Sequence, residues 1–208
     1  MSAVSEDQRY VEDRVVERPE IAQARRDSLE MGLKPISPGT GAIIAQVAAA
    51  SGAKHIIEIG TGLGVSALWL LSGAPEATLT SIDVEVEHQQ IARDALSAAG
   101  IPAARARLIA GRASDVLPRI NDGSYDLVLV DADAGSVIEY VEHALRIARP
   151  GGTVIVPRAL FHGRVANPVL RDELTQGYRD LAEVVSAADD VVSALIPVGD
   201  GLLLITKR

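Results

Sequence analysis

Ile56-Ile57-Glu58-Ile59-Gly60-Thr61-Gly62-Leu63-Gly64-Val65-Ser66 is the stretch that decides the fold. A β-branched apolar run ends in three alternating glycines. A stretch follows that puts Val65, Leu68 and Trp69 on one side. The pattern predicts a strand over 54–60, a tight turn and a helix over 63–72. Outward from there the same unit repeats. Strands are expected at 78–83, 105–110, 125–131 and 153–156, alternating with helices at 86–99, 113–120, 136–149 and 168–186, with Arg149-Pro150-Gly151-Gly152 as a turn. Val191–Pro197 and Leu202–Thr206 flank Val198-Gly199-Asp200-Gly201, a hairpin signal. Upstream, helices are expected at 5–17 (Ser5 with Gln8 as a capping box), at 19–32 and at 38–51, the last capped by Ser37 and opened by Pro38. Strands separated by helices imply parallel pairing with helices on both faces, a doubly wound α/β sheet. The closing hairpin implies one antiparallel strand at its edge.

Such sheets bind ligands beyond the carboxyl ends of their strands. The three glycines let the backbone approach a ligand closely, and the helix after them offers free N–H groups to an anion. The spacing is G-x-G-x-G, with Val65 where a dinucleotide fingerprint has its third glycine. Glu58, inside the strand, would repel a pyrophosphate but could help hold an ammonium. S-adenosylmethionine carries an ammonium, a carboxylate and a sulfonium and no phosphate, and it suits this turn better than a dinucleotide. A turn with no ligand is the third reading. Asp83 ends the second strand, where a carboxylate can accept from both ribose hydroxyls or cap the next helix. Asp131-Ala132-Asp133 ends the fourth strand and Val156-Pro157-Arg158 the fifth, beside the same cleft.

The chain has 208 residues, 28 acids against 20 bases for a net charge of −8, and no cysteine. One domain of 1–208 is expected, with helices over 1–34 leading a core over 35–208. Disulfides, thiolate nucleophiles and cysteine-based zinc sites are excluded. No apolar run approaches the roughly 18 residues of a membrane span, and the acidic N-terminus does not read as a secretory signal, which leaves the cytoplasm as the expected location. The acidic balance and the single Phe and Trp argue against nucleic acid as a partner.

IIEIGTGLGVSALWL, SIDVEVEHQQIA, YDLVLVDAD, ARPGG, FHGRVANP and LIPVGDGLLLITKR occur in that order. Together they resemble the small S-adenosylmethionine-dependent O-methyltransferases related to the catechol and caffeoyl-CoA enzymes, over roughly residues 35–208. The likeness is strongest to actinobacterial members that lack the full metal site. The resemblance implies a Rossmann-like class I methyltransferase: a seven-stranded, mostly parallel sheet with its last strand antiparallel, leading helices as a lid, and a homodimer. It places Ile36 near the methionine end of the cofactor and Glu58, Gly60, Thr61 and Ser66 on its amino-acid moiety. Asp83 falls on the ribose, with Val84 and Ala113 by the adenine. Asp131 falls nearest the ammonium and the reaction centre.

The sequence also departs from that family. Metal-dependent members end strand five in an Asp-Asn pair, which with the strand-four Asp holds a divalent cation. Here the pair reads Pro157-Arg158, so no metal is expected. A lysine three residues after the strand-four Asp is replaced by Ala134. Arg158 is expected to occupy the cation's place, to pair with Asp131 and to orient an anionic acceptor group. His162 and Asp133 are the candidate bases, with Asp133 on the substrate side. His55, His88 and His143 show no ligand spacing. The expected reaction is methyl transfer from S-adenosylmethionine to a small-molecule acceptor, leaving S-adenosylhomocysteine. A non-catalytic S-adenosylmethionine-binding regulator and a nicotinamide-linked oxidoreductase are the rival readings.

Overall fold

A computed structural model describes residues 6–208. Ser5, half of the expected capping box, lies outside them. The elements are α1 (Glu6–Arg14), α2 (Pro19–Glu30), α3 (Pro38–Ala50), β1 (His55–Ile59), α4 (Val65–Gly73), β2 (Thr78–Asp83), α5 (Val86–Ala98), β3 (Ala106–Ala110), α6 (Ala113–Val116), β4 (Tyr125–Val130), α7 (Val137–Ile147), β5 (Ala148–Pro157), α8 (Glu173–Ala187), β6 (Val191–Ile196) and β7 (Leu202–Lys207). The seven strands form one sheet in the order β3-β2-β1-β4-β5-β7-β6. The first five strands in sequence are parallel, and β7 runs antiparallel to both its neighbours.

Alternation along the strands builds a core on each face. Ile56, Leu127 and Leu129 face the layer of α2, α3 and α4, where Ile21, Ile44, Leu68 and Leu70 are buried. Ile57, Ile59, Val128 and Val130 face α7 and α8, meeting Val141, Ala144 and Leu181. Strand order reverses between β1 and β4, since the chain winds outward to β3 and then crosses back. The crevice at that switch point opens at the carboxyl ends of β1, β2 and β4.

Four sequence expectations change. The antiparallel strand lies one in from the edge, because β7 inserts between β5 and β6. Residues 149–152 form no free turn but a bulge inside β5. Ala148 pairs with Tyr125 and Thr153 with Leu127, so pairing resumes on either side. Helix α4 starts at Val65, two residues later than expected, because Gly64 stands at φ +90 and holds Leu63 in the turn. Helix α8 starts only at Glu173. Its N-cap is Asp172, whose carboxylate accepts from the Thr175 N–H at 3.1 Å. The Ser37 cap of α3 stands as expected, with its Oγ accepting from the Thr40 N–H at 3.2 Å.

Candidate active site

The floor of the crevice is the turn after β1. Gly60 has φ +97, and a Cβ there would lie 2.1 Å from the carbonyl oxygen of Asp131. Only glycine lets this backbone press against the end of β4. The next two N–H groups, of Thr61 and Gly62, donate to Asp83 Oδ2 at 2.8 and 2.9 Å, and the Glu85 N–H donates to Oδ1 at 2.9 Å. Three backbone donors thus orient the Asp83 carboxylate. Oδ2 accepts two of these bonds, and Oδ1 keeps a lone pair for a further donor.

Glu58 shares the face of Ile56, so its carboxyl group enters the layer toward α4 and is fully buried. No cation meets it. Ser66 Oγ donates to Oε2 at 2.8 Å and Ser81 Oγ to Oε1 at 2.7 Å, and Ser81 is bonded in turn to the Thr61 hydroxyl at 2.5 Å. Burial pushes the Glu58 carboxyl up to about 8, against the lowering effect of the two serine hydroxyls. Glu58 itself does not reach the crevice wall. Ser66 stands between it and any ligand.

At the other end, Asp131 and Arg158 meet across the ends of β4 and β5. Arg158 Nε donates to Asp131 Oδ1 at 2.8 Å and Nη2 to Oδ2 at 3.1 Å, a bidentate pair. Nη2 also donates to the carbonyl of Lys34 at 2.6 Å. The segment between α2 and α3 is therefore tied to the strand ends. Arg25 holds the same segment from behind, with Nη1 2.5 Å from the Ile36 carbonyl. Arg158 stands at φ +60, a conformation a residue with a Cβ adopts only at a cost of about 1 kcal/mol or more. Asp133 accepts from the Ser136 N–H at 3.0 Å and from the Tyr140 hydroxyl at 3.1 Å.

One cavity of about 310 Å³ joins these parts. Ile36, Gly60, Thr61, Ser66, Asp83, Val84 and Ala113 border it along its length, and Asp131, Asp133 and Arg158 border its β4–β5 end. His162 is not brought there. Its ring is more than half exposed and lies 3.2 Å from Asp200, and its N–H also donates to that carboxylate. The expected base role therefore lacks geometry, because the loop after β5 turns this residue outward. Sequence reading missed Ser28, Lys34, His88 and Tyr140 on the wall. Helix periodicity marks Tyr140 only as an inward residue, and Lys34 carries no signal at all. It also missed Tyr178, stacked on Phe161 with ring centroids 5.1 Å apart. Burial, with the Asp131 charge behind it, pushes the Tyr178 hydroxyl up to about 12. Among the described residues, no group of three or more acids or histidines is placed to hold a metal.

A seven-stranded Rossmann-like sheet, a glycine turn and an acidic second-strand terminus around one switch-point cavity define the nucleoside-binding class of methyltransferase folds. A model of the O-methyltransferase family matches residues 12–208, and the chain belongs to that family. A protein of Mycolicibacterium vanbaalenii, named for an inferred O-methyltransferase activity, is 43% identical over 195 residues, covering 93% of this chain and 86% of the relative. A crystal structure from Corynebacterium glutamicum superposes with a TM-score of 0.88 at 32% identity, over 96% of this chain and 94% of that one. The O-methyltransferase TomG of Streptomyces achromogenes, involved in tomaymycin synthesis and solved in complex with S-adenosylmethionine, gives 0.86 at 29% identity, over 99% and 97%.

Proposed function

We propose that the cavity binds S-adenosylmethionine and that the chain methylates an oxygen of a small-molecule acceptor without a divalent cation. One observation carries the reading: Gly60, Asp83 and Asp131 wall a single cavity in a chain of the O-methyltransferase family. The solved complex of TomG with the same nucleoside supports it. Bound there, S-adenosylmethionine supplies a methyl group that an acceptor oxygen takes as sulfur leaves neutral and the hydroxyl loses its proton.

The chain's own groups fit that ligand. Asp83, already oriented by three N–H groups, accepts from a ribose hydroxyl at Oδ1. Ser66 and the free end of α4 meet the amino-acid moiety, with Glu58 positioning Ser66 from below. Ile36 and Val84 close the apolar sides. Asp131 lies toward the ammonium, and Asp133 stands as proton acceptor for the acceptor's hydroxyl. The main work left to the protein is alignment and exclusion of water.

The donor set does not fit a divalent cation. Both Asp131 oxygens are taken by Arg158, and the end of β5 offers a proline and a guanidinium where oxygen ligands are needed. Calorimetry with S-adenosylmethionine and S-adenosylhomocysteine tests both halves of the reading. Binding is expected at the same affinity in magnesium and in chelator. No binding of either nucleoside overturns the functional reading, and metal-enhanced binding or turnover overturns the metal-free part. Tight binding with no turnover across phenols, catechols and small acids favours the regulator reading. Family membership sets the nicotinamide reading aside.

A homodimer, a cytoplasmic location and a single domain over 1–208 belong to the same proposal. Tyr10, Val11, Val16, Leu29 and Met31, exposed on and around α1 and α2, offer a second copy an apolar surface. Ile21 and Ala24 of α2 lie in the same core cluster as Ile56 of β1, which supports counting the leading helices with the core. Among the described residues no helix is long and apolar enough to cross a membrane.

A further inference from the structure

Two positive groups at the β4–β5 end of the cavity have donors left over. Arg158 spends Nε and both protons of Nη2 on Asp131 and the Lys34 carbonyl, while Nη1 has no hydrogen-bond partner among the described residues. Lys34 contributes only its backbone to that cluster. Its exposed ammonium makes no ion pair or hydrogen bond among the described residues, and it borders the same cavity. The hydrogen bond from Arg158 to the Lys34 carbonyl anchors the Lys34 backbone beside the guanidinium.

The bland account is that Arg158 merely neutralises Asp131 and that Lys34 is solvated. Two features go against it. An internal salt bridge needs no left-handed backbone, yet Arg158 is held at φ +60, and strain of this kind gathers where geometry serves a site. The Arg158 side chain also keeps about 30% of its surface exposed, and the residue borders the cavity. Charge then selects the guest. Arg158 matches Asp131, and the Lys34 ammonium offsets Asp133, which Tyr140 and the Ser136 N–H hold in place, so this end is balanced until a sulfonium donor adds a further positive centre.

We propose that the acceptor is an anion, a hydroxylated small molecule whose carboxylate or phosphate oxygens dock on Nη1 of Arg158 and the ammonium of Lys34. This rests on the reading of the cavity as an S-adenosylmethionine site. Arg158 and Lys34 set specificity, and the hydroxyl to be methylated faces Asp133. Oxyanion hydrogen bonds to charged donors are the strong ones, so selectivity of about tenfold or more over a neutral isostere is expected.

The test uses the intact protein saturated with S-adenosylhomocysteine and measures binding of four probes by calorimetry: 3,4-dihydroxybenzoate, phenyl phosphate, 3,4-dihydroxybenzamide and catechol. Dihydroxybenzoate or phenyl phosphate is expected to bind about tenfold or more tighter than the two neutral probes, and which anion leads separates carboxylate from phosphate chemistry. The preference is expected to vanish in Arg158→Gln and to shrink severalfold in Lys34→Ala, a surface change that leaves the core intact. Binding of the neutral probes as tight as that of the anions, no anion binding at all, or a preference untouched in Lys34→Ala overturns the proposal. Failure of S-adenosylhomocysteine itself to bind instead removes the reading beneath it.

Discussion

The β1–β2 end of the crevice is made of backbone and the β4–β5 end of charged side chains. At the first end, N–H groups of the glycine turn hold Asp83, and a hydroxyl network closes over Glu58. At the second, Arg158 reaches from a strained loop to Asp131, and Asp133 is fixed from α7. A peptide group cannot be exchanged by substitution, so the first end suits a constant ligand, whereas side chains can be replaced one at a time, which suits a variable one. The departures from the metal-dependent family pattern all fall at the second end: Pro157, Arg158 and Ala134.

The sharpest way to break the contrast is at Gly60. Gly60→Val places a Cβ where the Asp131 carbonyl already sits, at a φ that β-branched residues avoid. Both ends of the crevice share that contact, so both should fail together. The expected outcome is loss of detectable S-adenosylhomocysteine binding and a fall in melting temperature of several degrees, read by calorimetry and thermal denaturation. A variant that binds normally would mean the turn is less tightly pressed against β4 than the contact implies.

The same contrast explains what could be read in advance. The glycine turn, Asp83 and the alternation of parallel strands with helices were legible because each depends on local spacing: apolar alternation, a breaker, an acid at a strand end. The Asp131–Arg158 pair was legible too, since parallel neighbours bring their last residues to one edge. Tyr140, Lys34 and Ser28 were not, because helix docking and the path between α2 and α3 place them, and no short-range pattern encodes that path. The β5 bulge was missed for a related reason. Arg149-Pro150-Gly151-Gly152 has turn chemistry, yet Asp126 opposite holds Arg149 Nε at 2.6 Å and the Lys54 and His55 N–H groups at 2.8 and 2.7 Å, keeping the strands in register around it.

A smaller effect separates the two acids of the first end. Glu58, buried and pushed up to about 8, is protonated in the folded chain at neutral pH, whereas the unfolded chain ionises near 4.5. A carboxyl raised in this way stabilises the fold fully below its unfolded value and loses that contribution as pH rises through 8. The free protein should therefore lose several degrees of melting temperature between pH 5 and pH 8. Glu58→Gln, which keeps the shape and cannot ionise, should flatten that slope. An equal slope in the variant would assign the pH dependence elsewhere.

The smallest effect is expected at His162, and it sharpens the contrast by marking where the second end stops. Only three residues separate it from Arg158, yet its ring pairs with Asp200 on the outer side of the loop. The firmer link to Asp200 is through the His162 N–H, at 2.7 Å, which any residue but proline provides. His162→Ala should therefore bind S-adenosylhomocysteine with unchanged affinity and melt within about 2 °C of the parent, since exposed side chains distant from such features contribute within about 0.5 kcal/mol. Turnover, once an acceptor is in hand, should keep its pH profile. A profile that loses a limb in His162→Ala would move the working end of the crevice outward to this loop and return the base role from Asp133 to His162.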